Sequence, residues 1–412
     1  MSVRLLASGT PEQEMLVGTA IRFIEDTLPL PGVRALADSG SGAGPAYTAA
    51  AGSLGWFGLL VDEGHGGGSV SGNGVSGNGL LDAAAVAAER GAALQPGPFV
   101  GTNLVAHALS SAGTPASAPL PSGESHAELL RRLVEGRATA VWVAGAVGGL
   151  TPGAGEITLR HDRGTAVAAV AADAGGPAQA GAAHYVLDGE VRHVADALDC
   201  EILLVSGHGP DGLTQVLVPV RAAGVEVRRL AGLDLTRQTC AVRLRGVRVP
   251  AGAVVGVPGV ATEELFARQA RIAAVLSAAE SVGAMHGDFE LAVEYARARI
   301  AFGRPIGSFQ AIKHLLADTS LALEMAKGLV AAAAEALGSG APDGAELAHA
   351  AKAFVAEHSI TLTHSCFQVF GGVGYTWEHD HHLFMRRLAA DAEAFGSADW
   401  HRARLGERIG VG

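Results

Sequence analysis

Apolar residues recur at helical spacing near both ends of this chain and at every second position in between. A segment patterned for one period cannot bury its apolar face in the other conformation, so this double switch constrains the fold more than any single residue does. Thr10-Pro11-Glu12-Gln13 places a capping hydroxyl before a proline and an acid, which predicts a helix start. Ser125-His-Ala-Glu128 has capping-box spacing and opens a short amphipathic helix running to Glu135. Beyond residue 261, Ile272, Val275, Leu276 and Ala279 share one helical face, as do Leu347, Ala350, Ala351, Phe354 and Val355, and Gly371-Gly372 closes the second stretch.

Between these helical regions the alternation predicts strands over Ala138–Val147, Glu156–His161, Thr165–Ala171, His184–Leu187, Glu190–Val194, Glu201–Val205, Thr214–Val220, Val225–Leu230 and Cys240–Val249. Asp188-Gly189 between two short runs predicts a hairpin. Short strands with no helices among them predict a small antiparallel barrel or sandwich. The fold class is therefore α+β and multidomain: a helical unit over 1–137, an antiparallel β unit over 138–250, and an antiparallel helical bundle over 251–412.

At 412 residues the chain can bury a sizeable core. Its apolar fraction of 49% is largely alanine, with aromatics at 5%, a composition suited to closely packed helices. A net charge of -11 and the lack of a basic run exclude a nucleic-acid surface. Cys200, Cys240 and Cys366 are widely spaced and odd in number, which predicts neither a disulfide framework nor a zinc site. The opening residues have too short an apolar run for a secretory signal, and the least polar stretch, Ala138 to Gly155, is broken by glycines and Pro152. These features predict a reduced, cytoplasmic protein without a membrane span.

Several patterns carry little. Gly74-Val-Ser76-Gly-Asn78 approaches a hydrolase elbow but lies in a tandem Val-Ser-Gly-Asn-Gly repeat, read as a flexible loop over 64–79. His379, His381 and His382 around Asp380 read as a polar, partly exposed turn and not a metal site. His358 reads as a packing residue, and no glycine-rich Rossmann fingerprint is present.

Two segments are different. In Arg299-Ile-Ala-Phe302-Gly303-Arg-Pro-Ile-Gly-Ser-Phe-Gln310, a guanidinium and a glycine that permits close approach could clamp a pyrophosphate, with Gln310 donating to phosphate or ribose. In Gln368-Val-Phe-Gly371-Gly372-Val-Gly374-Tyr-Thr-Trp-Glu378, the glycine turn could add backbone N–H donors. Together, in this order and after a β unit, they resemble the flavin-binding signatures of acyl-CoA dehydrogenases. Leu54-Gly-Trp-Phe-Gly-Leu-Leu-Val-Asp-Glu63-Gly-His-Gly-Gly67 resembles the family's early helix and glycine loop.

The resemblance covers nearly the whole chain. It implies a helical N-terminal domain, a middle β domain, a C-terminal four-helix bundle and an oligomer. It also implies FAD as cofactor and α,β-dehydrogenation of an acyl thioester carried on CoA or a carrier protein. By the same resemblance Arg299, Phe302, Gln310, Gln368, Gly371 and Gly372 contact the ADP half of an FAD seated mainly in a neighbouring subunit. The sequence departs from the family at the reacting centre. Counting from Gly371-Gly372, the usual catalytic glutamate falls on Phe395, and the alternative position, counted back from Tyr295, falls on Ala273. Neither accepts a proton; Asp391, Glu393 and Asp399 are the nearby acids. The family's flavin-ring contacts read His193-Val194-Ala195, with Thr151 the nearest hydroxyl after the first strand. This asymmetry predicts one subunit of a hetero-oligomer, as in steroid side-chain degradation complexes, that lends its ADP-facing residues to a related partner chain. Homo-oligomerisation remains open, and the electron acceptor is unassigned. Two alternatives stand beside this reading: a flavin-dependent monooxygenase of the same fold, which needs no α-proton base, and a non-redox role.

Overall fold

The computed structural model describes residues 9–68, 79–112, 120, 123–146, 150, 155–162 and 184–410. The serine-glycine repeat, the strand expected at 165–171 and Thr151 lie outside these residues. Six helices come first: α1 (Pro11–Thr27), α2 (Leu30–Ser39), α3 (Gly44–Ser53), α4 (Gly79–Ala92), α5 (Phe99–Ser111) and α6 (His126–Val134). Their starts follow local chemistry. Thr10 Oγ1 accepts from Gln13 N at 3.2 Å at the start of α1, and Ser125 Oγ accepts from Glu128 N at 3.2 Å at the start of α6.

The strands are β1 (Ala140–Val143), β2 (Ile157–Asp162), β3 (His184–Ala195), β4 (Ile202–Gly209), β5 (Gly212–Pro219), β6 (Val225–Arg229), β7 (Thr239–Pro250) and β8 (Val254–Val255). They form one sheet in the order β6-β7-β3-β2-β4-β5-β8, with β1 beside β4. The sheet is mixed, not purely antiparallel, because β1 pairs with β4 in parallel register from Ala140–Ile202 to Val143–Val205. The chain reaches β4 from β1 through β2 and β3, and such a crossover permits the parallel orientation that a tight turn would forbid.

The expected hairpin at Asp188-Gly189 is absent. β3 is a single 12-residue strand paired with β7, with register shifts between Leu187 and Gly189 and again between Val191 and Val194. Gly189 has φ +141, and a Cβ there would lie 2.2 Å from the Glu156 carbonyl oxygen. An Asp-Gly pair thus serves a bulge as well as a turn, and here the strand continues through it. The second shift holds His193 at φ +64.

The remaining helices are α7 (Val260–Ala298), α8 (Gln310–Ser339), α9 (Gly344–Phe370), α10 (His381–Glu393) and α11 (Ala398–Ile409). A two-stranded hairpin, β9 (Ile300–Ala301) and β10 (Arg304–Pro305), joins α7 to α8. α7, α8 and α9 pack together as the long members of the bundle, with α10 against α7 and α9, and α11 against α9.

The alanine-rich composition finds its reason where α4 crosses α7. Ala83, Ala84, Ala87 and Ala88 on α4 and Ala274, Ala278 and Ala279 on α7 are all fully buried, and the two helices pack against each other. A Cβ on Gly283 would lie 1.8 Å from the Ala88 carbonyl oxygen, and one on Gly91 would lie 1.9 Å from that of Glu280. Replacing Gly283 by alanine gains up to about 1 kcal/mol of helix propensity. Forcing the helices apart costs about 1–3 kcal/mol or more, so the clash wins. Gly283→Ala is expected to lower the denaturant midpoint; an unchanged or higher midpoint would refute the close crossing.

Candidate active site and nucleotide-facing surface

A cleft of about 760 Å³ lies where α5, β1, β3, the segment 230–239, α7 and the end of α10 converge. Val100, Leu104, Val141, Trp142 and Val191 line its walls. Phe395 also lines it, from a loop that sequence and packing hold in an unusual conformation: φ is +56 at Phe395 and +101 at Gly396. A side chain at Gly396 would meet Trp400 and His401 at under 3 Å, so only glycine fits there. The Phe395 carbonyl oxygen lies 3.0 Å from His401 Nε2. Ala273 is fully buried on α7 and does not line the cleft; α7 presents Ser277 and Glu280 instead. His193, Val194 and Ala195 do line it.

The floor of the cleft is ionic. Arg237 bridges two buried carboxylates, Nη2 to Glu280 and Nη1 to Asp391. Arg90 Nε lies 3.7 Å from Glu280, and Arg387 Nε donates to Asp234 at 2.6 Å. Burial raises the pKa of Asp391, against the pull of Arg237 and Arg387. Burial also opposes the charge on Asp234, but Arg387, Arg237 and two hydrogen bonds from Thr236 outweigh it and its pKa is lowered. Asp196, wholly enclosed, is pushed up to about 6 by burial. Of the acids near Phe395 in sequence, Asp391 and Glu393 reach the cleft, whereas Asp399 is exposed and pairs with Arg402. Glu280 and Arg237 were not singled out from the sequence. The signal was present: a glutamate interrupts the otherwise small and apolar run Ile272–Gly283.

The two segments expected from the sequence to face a nucleotide lie elsewhere, at one end of the bundle. Arg299 caps α7 and is exposed, its carbonyl accepting from Ile306 N at 2.8 Å. Phe302 sits at the tip of the β9–β10 hairpin, φ +52 and 95% exposed. Gln310 opens α8, Gln368 lies in the last turn of α9, and Gly371 (φ +59) and Gly372 follow it; all are exposed. The Tyr295 and Phe370 rings, centroids 5.6 Å apart, hold the ends of α7 and α9 together, so both segments share one surface. Among the described residues Arg299 forms no ion pair, and a Cβ at Gly303, Gly371 or Gly372 would meet nothing within 4 Å. An unpaired guanidinium beside open glycine turns fits a pyrophosphate. Ile300, Tyr375 and Trp377 add exposed apolar area to the same region.

The histidines around Asp380 are more buried than a polar turn would be. His381 is fully enclosed and its Nδ1 lies 2.7 Å from Asp288 Oδ1 on α7, while His382 Nε2 lies 3.1 Å from the Trp377 carbonyl oxygen. They anchor the start of α10, and no group of metal-binding side chains occurs among the described residues. His358 stacks on Phe354, centroids 3.8 Å apart, as a packing residue.

A second histidine pair supports the cleft loop. His349 and His401 face each other with Nδ1 atoms 2.8 Å apart. Burial, then Arg271, Arg408 and Arg404, depresses His349 to about 4; burial, then Lys352 and His349, depresses His401 to about 3. Burial likewise lowers His107 to about 4. In the unfolded chain these groups titrate near 6.5, so between about pH 6.5 and 4 the unfolded state binds more protons and stability rises with pH. The contribution is complete above about pH 6.5 and is lost as pH falls towards 4. Thermal melts across that interval are expected to show this slope, and His401→Gln, which retains a donor towards Phe395, to flatten it. A pH-independent midpoint between 4 and 6.5 would contradict the buried neutral pair.

Helices, a central mixed sheet and a terminal helical bundle, with a cleft between sheet and bundle, define an acyl-CoA dehydrogenase fold. Residues 10–118 match the acyl-CoA dehydrogenase N-terminal domain and residues 253–410 the acyl-CoA dehydrogenase C-terminal domain. The chain is 30% identical over 324 residues to the acyl-CoA dehydrogenase IpdE2 of Mycobacterium tuberculosis, covering 79% of this chain and 76% of that protein. Its fold is similar to that of a glutaryl-coenzyme A dehydrogenase in complex with glutaryl-CoA (TM-score 0.81, 20% identity, 98% and 97% of the two chains). It is also similar to a chain of the ChsE4-ChsE5 complex from Mycobacterium tuberculosis (TM-score 0.78, 21% identity, 98% and 99%). The protein belongs to the acyl-CoA dehydrogenase family of oxidoreductases. No helix among the described residues is long and apolar enough to cross a membrane.

Proposed function

We propose that this chain is one subunit of an FAD-dependent hetero-oligomer that desaturates an acyl thioester between its α and β carbons. The observation that carries the reading is the separation of its two half-sites. Glu280 lines the cleft, whereas Arg299 ends the same helix roughly 28 Å further along, at a rise of about 1.5 Å per residue. A nucleotide held by Arg299, Gln310, Gln368 and the Gly371-Gly372 turn therefore reaches out from this chain's surface, and the exposed Phe302 and Tyr375 would be covered by the chain that holds its flavin ring.

FAD, when bound, supplies a two-electron acceptor for the hydride leaving the β-carbon. The α-proton needs a base, and Phe395 in the loop facing this chain's cleft cannot be one. A related acyl-CoA dehydrogenase chain would supply that carboxylate and the ring contacts, while this chain positions the nucleotide. The test is turnover: the co-expressed pair, given an acyl-CoA and an artificial electron acceptor, is expected to form the 2-enoyl product, and this chain alone is expected to form none. Oxygen-dependent hydroxylation fed by reduced flavin would instead establish the monooxygenase alternative. Absence of flavin from both preparations would establish a non-redox role.

A further inference from the structure

Asp288 and His381 form an ionisable pair in a place that two apolar side chains would fill as well. Both are fully enclosed, and His381 Nδ1 lies 2.7 Å from Asp288 Oδ1. The Phe367 and Phe370 ring centroids lie 5.6 and 5.1 Å from that of His381, and Cys366 lies beside Asp288. A buried pair of this kind adds little to stability, because both groups are stripped of water to make it. What it adds over apolar side chains is direction. A hydrogen bond weakens steeply as it bends, whereas apolar burial is non-directional.

The pair stands behind the surface proposed to hold the nucleotide. Asp288 belongs to α7, His381 opens α10, and Cys366, Phe367 and Phe370 belong to the end of α9. Asp288 and Tyr295 lie about two turns apart on one face of α7, and Tyr295 takes the Phe370 ring. The end of α9 is thus tied to α7 at two points: directly by an apolar contact, and through His381 by a directional one. Gln368 lies between Phe367 and Phe370 in sequence but is exposed, and the connection Gly371–Asp380 joins α9 to the start of α10. A turn of α9 about its axis, or a shift of that connection, would carry Gln368 and the glycines away from Arg299, which ends α7. The Asp288–His381 bond opposes both movements.

We propose that Asp288 and His381 are positioning residues for the nucleotide: their hydrogen bond sets Gln368 and the Gly371-Gly372 turn at the spacing from Arg299 that one pyrophosphate requires. This role rests on the reading of that surface as half of an FAD site.

Replacing both partners by apolar groups separates this role from simple packing. Asp288→Leu with His381→Phe removes the two buried polar groups together, a change that leaves stability unaltered or raises it. The flavin-free co-expressed complex carrying both substitutions in this chain is titrated with FAD and unfolded in denaturant. FAD is expected to bind about tenfold more weakly, at a denaturant midpoint no lower than that of wild type. Asp288→Asn, which still accepts from Nδ1, is expected to bind FAD within about threefold of wild type. Gln368→Ala is expected to weaken binding about fivefold in the wild-type background. On top of the apolar pair it should cost less than about twofold, since a donor already out of place has little left to lose. If the apolar pair does not fold, Asp288→Asn with His381→Ala, which leaves no buried charge, is read in the same way. Unchanged FAD affinity in the apolar pair, an equal loss in Asp288→Asn, or full additivity with Gln368→Ala would overturn the proposal. A complex that binds FAD but is indifferent to Asp288 and His381 refutes the positioning role alone. A wild-type complex that binds no FAD refutes the nucleotide reading and the positioning role with it.

Discussion

Arg237→Met is expected to destabilise the protein by about 3–5 kcal/mol, the cost of stripping one partner from a buried ionic group. Arg237 is the only cation in ion-pair contact with Asp391 among the described residues and shares Glu280 with Arg90. Removing it leaves Glu280 with only Arg90, at 3.7 Å, and Asp391 with no ion-pair partner among the described residues. The penalty arises from those stranded charges, not from the lost attraction, because forming a buried pair already costs desolvation of both ions. Adding Asp391→Asn and Glu280→Gln to the arginine substitution should therefore recover most of the loss. Denaturant unfolding of the single and triple variants separates the two explanations. An Arg237→Met variant within about 1 kcal/mol of wild type would mean that the cluster is hydrated and not a sealed network.

The second large effect concerns the surface proposed to face the nucleotide. Arg299→Ala with Gln310→Ala removes a charged donor and a neutral one from a site where both are exposed and Arg299 has no ion pair among the described residues. A hydrogen bond to a charged group contributes about 1.5–3 kcal/mol and a neutral one about 1 kcal/mol. Flavin affinity of the assembled complex is thus expected to fall by a factor on the order of a hundred to a thousand. The folding stability of the isolated chain should stay within about 0.5 kcal/mol of wild type, as for surface changes away from packed features. Loss of flavin from the complex by a substitution in this chain alone is the signature of a donated half-site. Undiminished flavin content would place the nucleotide elsewhere.

Most of the fold was legible because two simple periods carried it. The alternation of Ile157 and Leu159, and of Val247 and Val249, with exposed neighbours and the helical stripe of Ile272, Val275, Leu276 and Ala279 each have one low-energy way to be buried. Asp188-Gly189 misled because the same residue pair suits a tight turn and a bulge, and only the partner strand decides; β7 runs past both halves and keeps β3 whole. The parallel pairing of β1 with β4 was not legible, since strand direction is set by the path between strands and not by the pattern within either. At the site, the exposed positions from Arg299 to Gly372 were named because their spacing along the chain is itself the signal. The ionic floor was missed because Arg90, Arg237, Glu280 and Asp391 come from four distant segments, and a charge in an apolar helix can mean a solvated edge as readily as a sealed pair. His401, which supports the carbonyl of Phe395, was hidden for the same reason.

The proposed role has this chain lending a nucleotide site outward, with Phe395 standing where the family's usual glutamate would face its own cleft. Flavin stoichiometry tests it most directly. The chain and its related partner are purified separately and together, and flavin absorbance is compared with protein concentration, after addition of excess FAD and gel filtration. The account predicts little or no flavin retained by this chain alone and one flavin per pair of unlike chains in the complex. One flavin retained by every copy of this chain without a partner, with dehydrogenation of an acyl-CoA by that preparation, would contradict it.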